Sequence, residues 1–282
     1  MSRPPVVLLT GASGAVGKTL RAGLKPHVAA MRLTDIRDPG PAEAGETCRV
    51  ADLADLDAMT ELAAGVDAIV HLGGVLGAVR ENGVVVGETS WEAVLQSNIV
   101  GTYNVFEAAR RNGVRRVVYA SSIHAHGFYR RSTRVTLDSP PRPDTRYGLS
   151  KVFGEATGRY YADKFGLQVV ALRIATFKAR PTLIRDLGTW ISPGDMVELV
   201  RCSLEYPDTH FDVLWGVSAN TRSLYDNPEA VRYGYFPKDD SETYREALLR
   251  DPAAADDSEF ERMFHAAHLA VPEWAGDVSR IV

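Results

Sequence analysis

The sequence lacks the features that mark several large classes of protein. Only two of its 282 residues are cysteines, Cys48 and Cys202, so we expect neither a disulfide framework nor a metal site. No run approaches the ~18 consecutive apolar residues of a membrane span, and the apolar stretch near the N-terminus is too short for a secretion signal. We therefore expect a protein of the reducing cytoplasm that has no contact with a membrane.

The sequence also has no surplus of positive charge. Its 32 lysines and arginines are outnumbered by 36 aspartates and glutamates, which gives a net charge of −4. Binding to the phosphates of a nucleic acid requires a basic excess, so we do not expect nucleic acid as a partner. Hydrophobic residues at 45% and charged residues at 24% are the proportions of an ordinary globular chain.

Short apolar runs alternate with helical stretches along most of the chain, the pattern of buried parallel strands joined by crossover helices. The predicted strands are Val6–Thr10, Met31–Thr34, Cys48–Val50, Val66–Leu72, Val114–Ala120, Leu167–Ile174 and Phe211–Trp215. The predicted helices are Ala15–Lys25, Leu53–Ala64, Trp91–Asn112, Tyr147–Phe165, Pro193–Tyr206 and Ser241–Arg250. We predict an α/β fold, a doubly wound parallel sheet of the Rossmann type. Residues 1–174 form its dinucleotide-binding core, and residues 175–282 form a small substrate-binding lobe and tail that do not fold alone.

A glycine-rich loop joins the first predicted strand to the first predicted helix. Gly11, Gly14 and Gly17 permit a tight turn, a close approach of the backbone to a pyrophosphate, and close packing of helix on strand. The same stretch loosely matches a P-loop, but Ala12 replaces the first glycine of that motif. The predicted strands Val66–Leu72 and Val114–Ala120 end in glycines and serines, not in a carboxylate that could hold the magnesium of a P-loop enzyme, so we disfavour a kinase or ATPase.

An acidic residue follows the second predicted strand, where dinucleotide-binding folds hold a ribose. Asp35 lies 24 residues after Gly11, near the ~20 residues expected. Its carboxylate can accept hydrogen bonds from both ribose hydroxyls and would repel a 2′-phosphate, which favours NAD over NADP. Arg37 keeps NADP open because an arginine can clamp that phosphate, although we prefer to interpret Arg37 as a solvated surface charge.

Three residues form a candidate catalytic set. Tyr147 and Lys151 are four positions apart and therefore share a helix face, on which the ammonium would lower the pKa of the tyrosine from ~10. Ser122 follows a predicted strand at its carboxyl end, where open α/β sheets bind ligands, and could donate to the oxygen that Tyr147 deprotonates. The pattern predicts a dehydrogenase in which Tyr147 is the base.

With these motifs in order, the sequence resembles the extended short-chain dehydrogenase/reductases and, among them, the uronate dehydrogenases. The superfamily motifs are Gly11/Gly14/Gly17, Asp52-Leu53, Leu72-Gly73-Gly74, Asn98 with Gly101-Thr102, and the set Ser122, Tyr147 and Lys151. The segments that read like the uronate dehydrogenases include His71–Gly74, Arg142-Pro143-Asp144, Tyr147–Glu155 and Trp215–Asn220.

The resemblance implies that NAD accepts a hydride as the anomeric carbon of a hexuronic acid is oxidised to a lactone. The implied cofactor contacts are Gly11, Ala12, Gly14, Ala15, Val16, Gly17, Asp35, Ile36, Asp52, Leu53, Leu72, Gly73, Gly74, Asn98, Tyr147, Lys151 and Ile174. The implied substrate contacts are Leu76, Ser122, Ile123, His124, Tyr147, Thr176 and Arg185. Arg185 would fork onto the substrate carboxylate, and the alternative is a loop arginine paired with Asp186 or with solvent.

Three segments depart from the uronate dehydrogenase pattern. Leu76 and Ile123 stand where that family has a serine and an asparagine, and residues 177–180 differ from its proline-rich loop. These apolar replacements suggest a less hydroxylated substrate, or one that is seated differently. The stretch Arg80–Thr89 looks inserted and could be an apolar lid or a surface loop.

Other functions of the same fold remain alternatives. A sugar-nucleotide epimerase or dehydratase, or a reductase with a less polar substrate, would keep the catalytic set, but the nucleotide-sugar enzymes need a larger C-terminal lobe. A scaffold protein without activity would not need Tyr147 and Lys151. The two long helices Trp91–Asn112 and Tyr147–Phe165 could pair two copies into a homodimer, or could serve only the core.

Overall fold

A seven-stranded parallel sheet is the centre of the computed structural model, which describes residues 3–81, 84–255, 259–266 and 269–281. From one edge to the other, the strand order is β3-β2-β1-β4-β7-β8-β11. The strands are β1 (Val6–Thr10), β2 (Ala30–Asp35), β3 (Glu46–Val50), β4 (Ala68–His71), β7 (Arg116–Ser122), β8 (Gln168–Ile174) and β11 (Phe211–Gly216). The predicted Rossmann-type sheet is confirmed.

Helices cover both faces of the sheet. The main helices are α1 (Ala15–Gly23), α2 (Leu56–Ala63), α3 (Trp91–Val94), α4 (Gly101–Arg111), α5 (Arg146–Phe165) and α7 (Pro193–Glu205). The shorter helices are α6 (Asp186–Thr189), α8 (Pro228–Arg232), α9 (Arg245–Arg250) and α10 (Glu259–Met263). The predicted single helix Trp91–Asn112 is interrupted between α3 and α4 by a π-helical segment, Leu95–Val100. Ser192 caps α7 by accepting a hydrogen bond from the Asp195 N–H at 3.0 Å.

Alternation along the buried strands divides the core into two layers. Val7 and Leu9 of β1 point into a cluster beneath α1 and α7, whereas Leu8 points into the opposite cluster with Phe106 and Tyr161. Successive strand residues face opposite sides, so a strand that is covered on both sides reads as one continuous apolar run. That is why the strands could be recognised from short runs without polar alternation.

The part after residue 174 shares this sheet. Strand β11 pairs with β8, and α7 packs against α1 on the sheet face. Residues 175–282 therefore complete the core as well as carrying β9 (Thr176–Phe177), β10 (Trp190–Ile191) and the tail. The division at residue 174 remains a prediction about which part binds substrate.

The inserted stretch forms a β-hairpin, of β5 (Ala78–Glu81) and β6 (Val84–Glu88). The Arg146 N–H and guanidinium hold it through Glu88 and Glu273, and the N–H of Glu88 also donates to Glu273 at 3.1 Å. The hairpin, the start of α5 and the C-terminal tail are thereby tied together. Across the described ranges, we find no helix with the length and apolarity needed to cross a membrane.

Candidate functional site

The glycine loop between β1 and α1 is shaped by backbone contacts that leave no space for side chains. Gly11 has φ +71°, and a Cβ on it would lie 2.8 Å from the Gly73 nitrogen. A Cβ on Gly17 would overlap the Gly11 carbonyl oxygen and lie 2.8 Å from the Cα of Ala12. The result is a bare backbone cradle at the N-terminus of α1, which fits the pyrophosphate of a dinucleotide.

The acid predicted to hold a ribose is fixed beside this cradle. The carboxylate of Asp35 accepts the N–H groups of Ser13 and Arg37, each at 3.0 Å. The Arg37 side chain is 70% exposed, with Nε 3.8 Å from the Asp35 carboxylate, so it is largely solvated, as we preferred. Ile36 is 68% exposed although it is apolar. An exposed isoleucine beside the ribose acid fits a site that the adenine ring covers.

A buried hydrogen-bond chain positions the second cofactor segment, Leu72–Gly74. Oγ1 of Thr10 accepts the Gly73 N–H at 3.2 Å and contacts Nδ1 of His71 at 2.8 Å. Nε2 of His71 contacts Oγ1 of Thr102 at 3.2 Å, and burial lowers the pKa of His71 to about 3, so the ring stays neutral. Leu53 packs where a Cβ on Gly73 would lie, and Asp52 accepts the Ala54 N–H at 2.9 Å.

Asn98 links this segment to the helix that carries the catalytic residues. Its amide exchanges two hydrogen bonds with the backbone of Val75, at 2.8 and 3.1 Å, and donates to Oγ of Ser150 at 3.0 Å. Ser150 in turn donates to the Tyr147 carbonyl at 2.7 Å. Asn98 was predicted to be a cofactor contact, and the structure shows it bracing Val75 and α5. No sequence motif indicated that Ser150 connects Asn98 to α5.

The three candidate catalytic residues come together at the carboxyl end of β7. Ser122 is the last residue of that strand, which extends two residues beyond the predicted end at Ala120, and its hydroxyl is close enough to Tyr147 to lower the pKa of the tyrosine. Thr145 caps α5 by accepting the Gly148 N–H at 3.0 Å, which fixes the first turn, where Tyr147 lies. Lys151 is buried, with Nζ 5.2 Å from the ring centroids of Tyr119 and Tyr147.

Burial shifts the pKa values of the pair in opposite directions. It raises the pKa of Tyr147 to about 12, and the charge of Asp144 adds to the rise, while the hydrogen bond from Ser122 opposes it. It lowers the pKa of Lys151 to about 8. The expectation that Tyr147 has a lowered pKa is therefore wrong for the protein as described, because loss of water disfavours the phenolate more than its neighbours stabilise it.

His124 lies beside Tyr147 and is paired with a buried carboxylate. Nδ1 of His124 is 2.8 and 3.0 Å from the two oxygens of Asp144, and its ring meets that of Tyr147 edge to face at 5.7 Å. His124 was predicted from the family resemblance as a substrate contact, whereas no role was predicted for Asp144. The only signal for Asp144 was its place in the segment Arg142-Pro143-Asp144.

The two apolar departures lie in different surroundings. Ile123 is buried and packs with Trp215 and Tyr225. Leu76 is 75% exposed. It precedes Gly77, on which a Cβ would lie 3.0 Å from the Cβ of Tyr147 and 3.1 Å from Leu269 of the tail. The role of both residues as substrate contacts remains a prediction.

The remaining predicted substrate residues follow β8. Ile174 ends that strand against Gly216, and Oγ1 of Thr176 lies 2.9 Å from Oγ1 of Thr189. Arg185 precedes α6 and pairs with Glu261 of α10 at 3.3 Å, with 15% of its side chain exposed. The alternative prediction, that Arg185 pairs with Asp186, is wrong. The Asp186 carboxylate instead forms an ion pair with Nζ of Lys178 at 2.7 Å.

An open groove of about 940 Å³ lies elsewhere, between α5 and β11. Arg159, Arg173 and Phe211 line it, and its lining includes none of the predicted cofactor or substrate residues. In the described ranges, no group of three His, Cys, Asp or Glu side chains is arranged to hold a metal ion. The candidate site is therefore the cleft between the glycine cradle, Tyr147 and the tail.

Comparison with known proteins agrees with this geometry. The sequence model of the NAD dependent epimerase/dehydratase family matches residues 7–180. A uronate dehydrogenase from Pseudomonas putida is 42% identical over 253 residues, which cover 89% of this chain and 91% of the relative. An L-arabinose 1-dehydrogenase (NAD(P)(+)) from Haloferax volcanii is 34% identical over 84% of this chain and 98% of its own. A crystal structure of an Agrobacterium tumefaciens uronate dehydrogenase mutant complexed with NAD superposes with a TM-score of 0.87 at 37% identity, covering 94% of this chain and 97% of the other.

Proposed function

The chain belongs to the NAD dependent epimerase/dehydratase family, and we propose that it is an NAD-dependent dehydrogenase that oxidises the anomeric carbon of a hexuronic acid to a lactone. The observation that carries this proposal is the placement of Tyr147 beside Ser122 and Lys151 at the carboxyl end of β7, in the same sheet whose first strand leads into the glycine cradle. The names of relatives that are similar over nearly the whole chain support the same activity.

The residues divide the chemistry as follows. The anomeric hydroxyl gives its proton to Oη of Tyr147 while Oγ of Ser122 donates a hydrogen bond to the same oxygen. The C1–H bond breaks as the C1=O bond of the lactone forms. NAD, when bound, would supply the acceptor for the hydride from C1. Lys151 keeps a positive charge near the Tyr147 ring and thereby favours the phenolate form, which is the form that can take the proton.

The proposed cofactor is NAD because of the way Asp35 is held. Each of its two oxygens accepts one backbone N–H group and keeps acceptor capacity, which suits two ribose hydroxyls. A 2′-phosphate would meet this carboxylate, and the nearby arginine is mostly in water. The pyrophosphate would be bound by residues 11–17, and the residues opposite it would be Leu72–Gly74.

The proposed substrate is an acid because Arg185 can fork onto a carboxylate. In the free protein Arg185 pairs with Glu261. A substrate carboxylate that displaces Glu261 would keep the guanidinium paired. L-arabinose is neutral, and an enzyme named for its oxidation is 34% identical to this chain, so the charge of the substrate is the point to test. Leu76 would form an apolar part of the same wall.

Three further proposals concern the location of the protein, its oligomeric state and the role of the hairpin. We place the protein in the cytoplasm because both described cysteines are free thiols. We propose a homodimer along α4 and α5, where Tyr103, Tyr160 and Phe165 each expose nearly half of their surface. The hairpin β5–β6 would be a lid, held down by Arg146 and Glu273.

A panel assay tests the function. Purified protein is mixed with NAD and, in turn, with hexuronic acids, their parent aldoses and simple alcohols, and NADH absorbance is followed. We expect NADH with hexuronic acids at a kcat/KM well above that for the parent aldoses, and almost none from the Tyr147→Phe variant. Preference for neutral aldoses would move the proposal to an aldose dehydrogenase, and absence of NADH with every substrate would remove it.

A further inference from the structure

The pair formed by His124 and Asp144 is built more tightly than a chance contact between loops. The Asp144 side chain has no exposed surface, and both of its oxygens face Nδ1 of His124. Oγ1 of Thr145 donates to Oδ1 at 3.2 Å. An ionised carboxylate only accepts hydrogen bonds, so this geometry requires the proton of His124 to be on Nδ1.

Two glycines fit the backbone around the pair. A Cβ on Gly127 would overlap Oδ2 of Asp144, and a Cβ on Gly148 would overlap the His124 carbonyl oxygen. Gly148 immediately follows Tyr147 in α5. Close packing thus joins three segments: the 3₁₀ turn Ile123–His126, the loop before α5 and the first turn of α5. This packing holds the ring of His124 against the ring of Tyr147.

The titratable groups around this pair belong to several elements. Burial raises the pKa values of Tyr147 of α5, Tyr225 before α8 and Glu88 of β6, and the charge of Asp144 adds to each rise. Arg131 lies near Tyr225 and opposes that rise. A buried carboxylate next to the reacting tyrosine disfavours the phenolate. We therefore expect Asp144 to have a role that offsets this cost, and its direct hydrogen-bond partner is His124.

We propose that Asp144 is a positioning residue, which keeps the proton of His124 on Nδ1 and turns Nε2 toward a sugar hydroxyl beside the anomeric carbon. This inference rests on the proposed function and adds a device that selects a hydroxylated ring at that position. With the Nδ1 proton held by Asp144, the orientation of the ring is fixed and Nε2 is left to hydrogen-bond a sugar hydroxyl, which can both donate and accept. Without Asp144 the ring can flip or exchange tautomers, and this hydrogen bond is lost part of the time.

A double-mutant cycle measures whether Asp144 acts through His124. We expect Asp144→Asn to raise KM for a hexuronic acid about ten- to a hundredfold, the range of one charge-assisted hydrogen bond, while kcat changes less. In a His124→Asn background the same substitution should raise KM less than about threefold. An equal rise in both backgrounds would overturn the proposal. So would an Asp144→Asn variant that is folded and has an unchanged KM.

Nitrogen NMR of histidine-labelled protein reads the tautomer directly in the wild-type protein, and only the His124→Asn variant must fold, for the assignment. The His124 signals, identified by their loss in His124→Asn, should report a protonated Nδ1, and Nε2 should shift when the hexuronic acid binds. A proton on Nε2 alone in the wild-type protein would overturn the proposal even if Asp144→Asn misfolds. If the wild type oxidises no uronic acid, the proposed function fails, and the tautomer measurement still decides whether the pair is built as described.

Two matched controls separate positioning from folding. Asp195→Asn changes a buried carboxylate that accepts the backbone N–H groups of Lys238 and Asp239 at 2.9 and 3.1 Å, beside α7. His126→Asn changes a buried histidine of the same 3₁₀ turn whose Nε2 contacts the Ser139 carbonyl oxygen. Both should leave KM within about twofold of wild type. A KM rise in either control as large as that of Asp144→Asn would assign the effect to folding and overturn the proposal.

Discussion

The two halves of the cleft are built by different means. On the cofactor side, backbone atoms form the surface: glycines at positions 11, 14 and 17 leave a cradle, and backbone N–H groups fix Asp35. On the substrate side, the surface is made of side chains that are paired over long sequence distances, such as Arg185 with Glu261 and Arg146 with Glu273. A cradle of backbone accepts one cofactor, whereas exchangeable side-chain pairs allow the substrate to vary on the same fold.

The largest effect is expected where the two halves meet. Tyr147→Phe removes the proton acceptor and should lower turnover about 10²- to 10⁴-fold, the usual contribution of general-base catalysis. NAD should still bind with near-normal affinity, since the cradle is separate, and this is measured by calorimetry. Near-normal turnover would show that Tyr147 is not the base and that the halves do not meet there.

A change confined to the cofactor half comes next. Gly17→Ala places a Cβ against backbone atoms of the cradle that cannot move aside, and it should weaken NAD binding roughly a hundredfold, in line with 1–3 kcal/mol of overpacking. Gly194→Ala is the matched control, because the nearest atom to its Cβ would be 3.7 Å away. NAD titration of both variants measures the difference, and equal affinities would show that the cradle tolerates a side chain.

A change confined to the substrate half should leave NAD binding unchanged. Arg185→Lys keeps the charge but loses the fork, and it should raise KM for a hexuronic acid about ten- to a hundredfold. A neutral aldose should barely be affected. Steady-state kinetics on an acid and its parent aldose measure both values, and equal effects on the two sugars would make Arg185 a support for the loop through Glu261.

The pH profile should show that Tyr147 and Lys151 act as a pair. With pKa values of about 12 and about 8, both keep their protons well below pH 8, and the first proton is lost near pH 8. Above that pH a constant share of the singly deprotonated pair has the phenolate. The kcat/KM for oxidation should therefore rise about tenfold per pH unit and level near pH 8. In Lys151→Met the levelling near pH 8 should disappear, and an unchanged profile would contradict the pairing.

The smallest effect is expected at the edge of the substrate half. Glu273→Gln weakens the contact of the tail with Arg146 and with the hairpin, but both side chains are largely exposed, so KM should change less than about threefold. Hydrogen exchange of residues 78–88 should quicken if the pair holds the lid down. Glu246→Gln, which affects an exposed pair with Arg250, is the control. Equal exchange in both variants would show that the hairpin does not depend on the tail.

How far the sequence predicts the site follows the same division. The glycine loop and Asp35 could be predicted because they lie within one βαβ unit and depend on residue types with one physical reason each. The pairing of His124 with Asp144 and of Arg185 with Glu261 depends on how distant segments meet, which no local pattern encodes. The packing of Ile123 with Trp215 and Tyr225 shows the same limit.

Isotope transfer tests the central claim most directly. A hexuronic acid that carries deuterium at C1 is mixed with the protein and NAD in a single turnover, and the deuterium content of the reduced cofactor is measured by mass spectrometry. Hydride transfer from the anomeric carbon predicts that nearly every reduced cofactor carries the label and that its formation is slower than with the unlabelled acid. Reduced cofactor without the label, or no reduced cofactor at all, would contradict it.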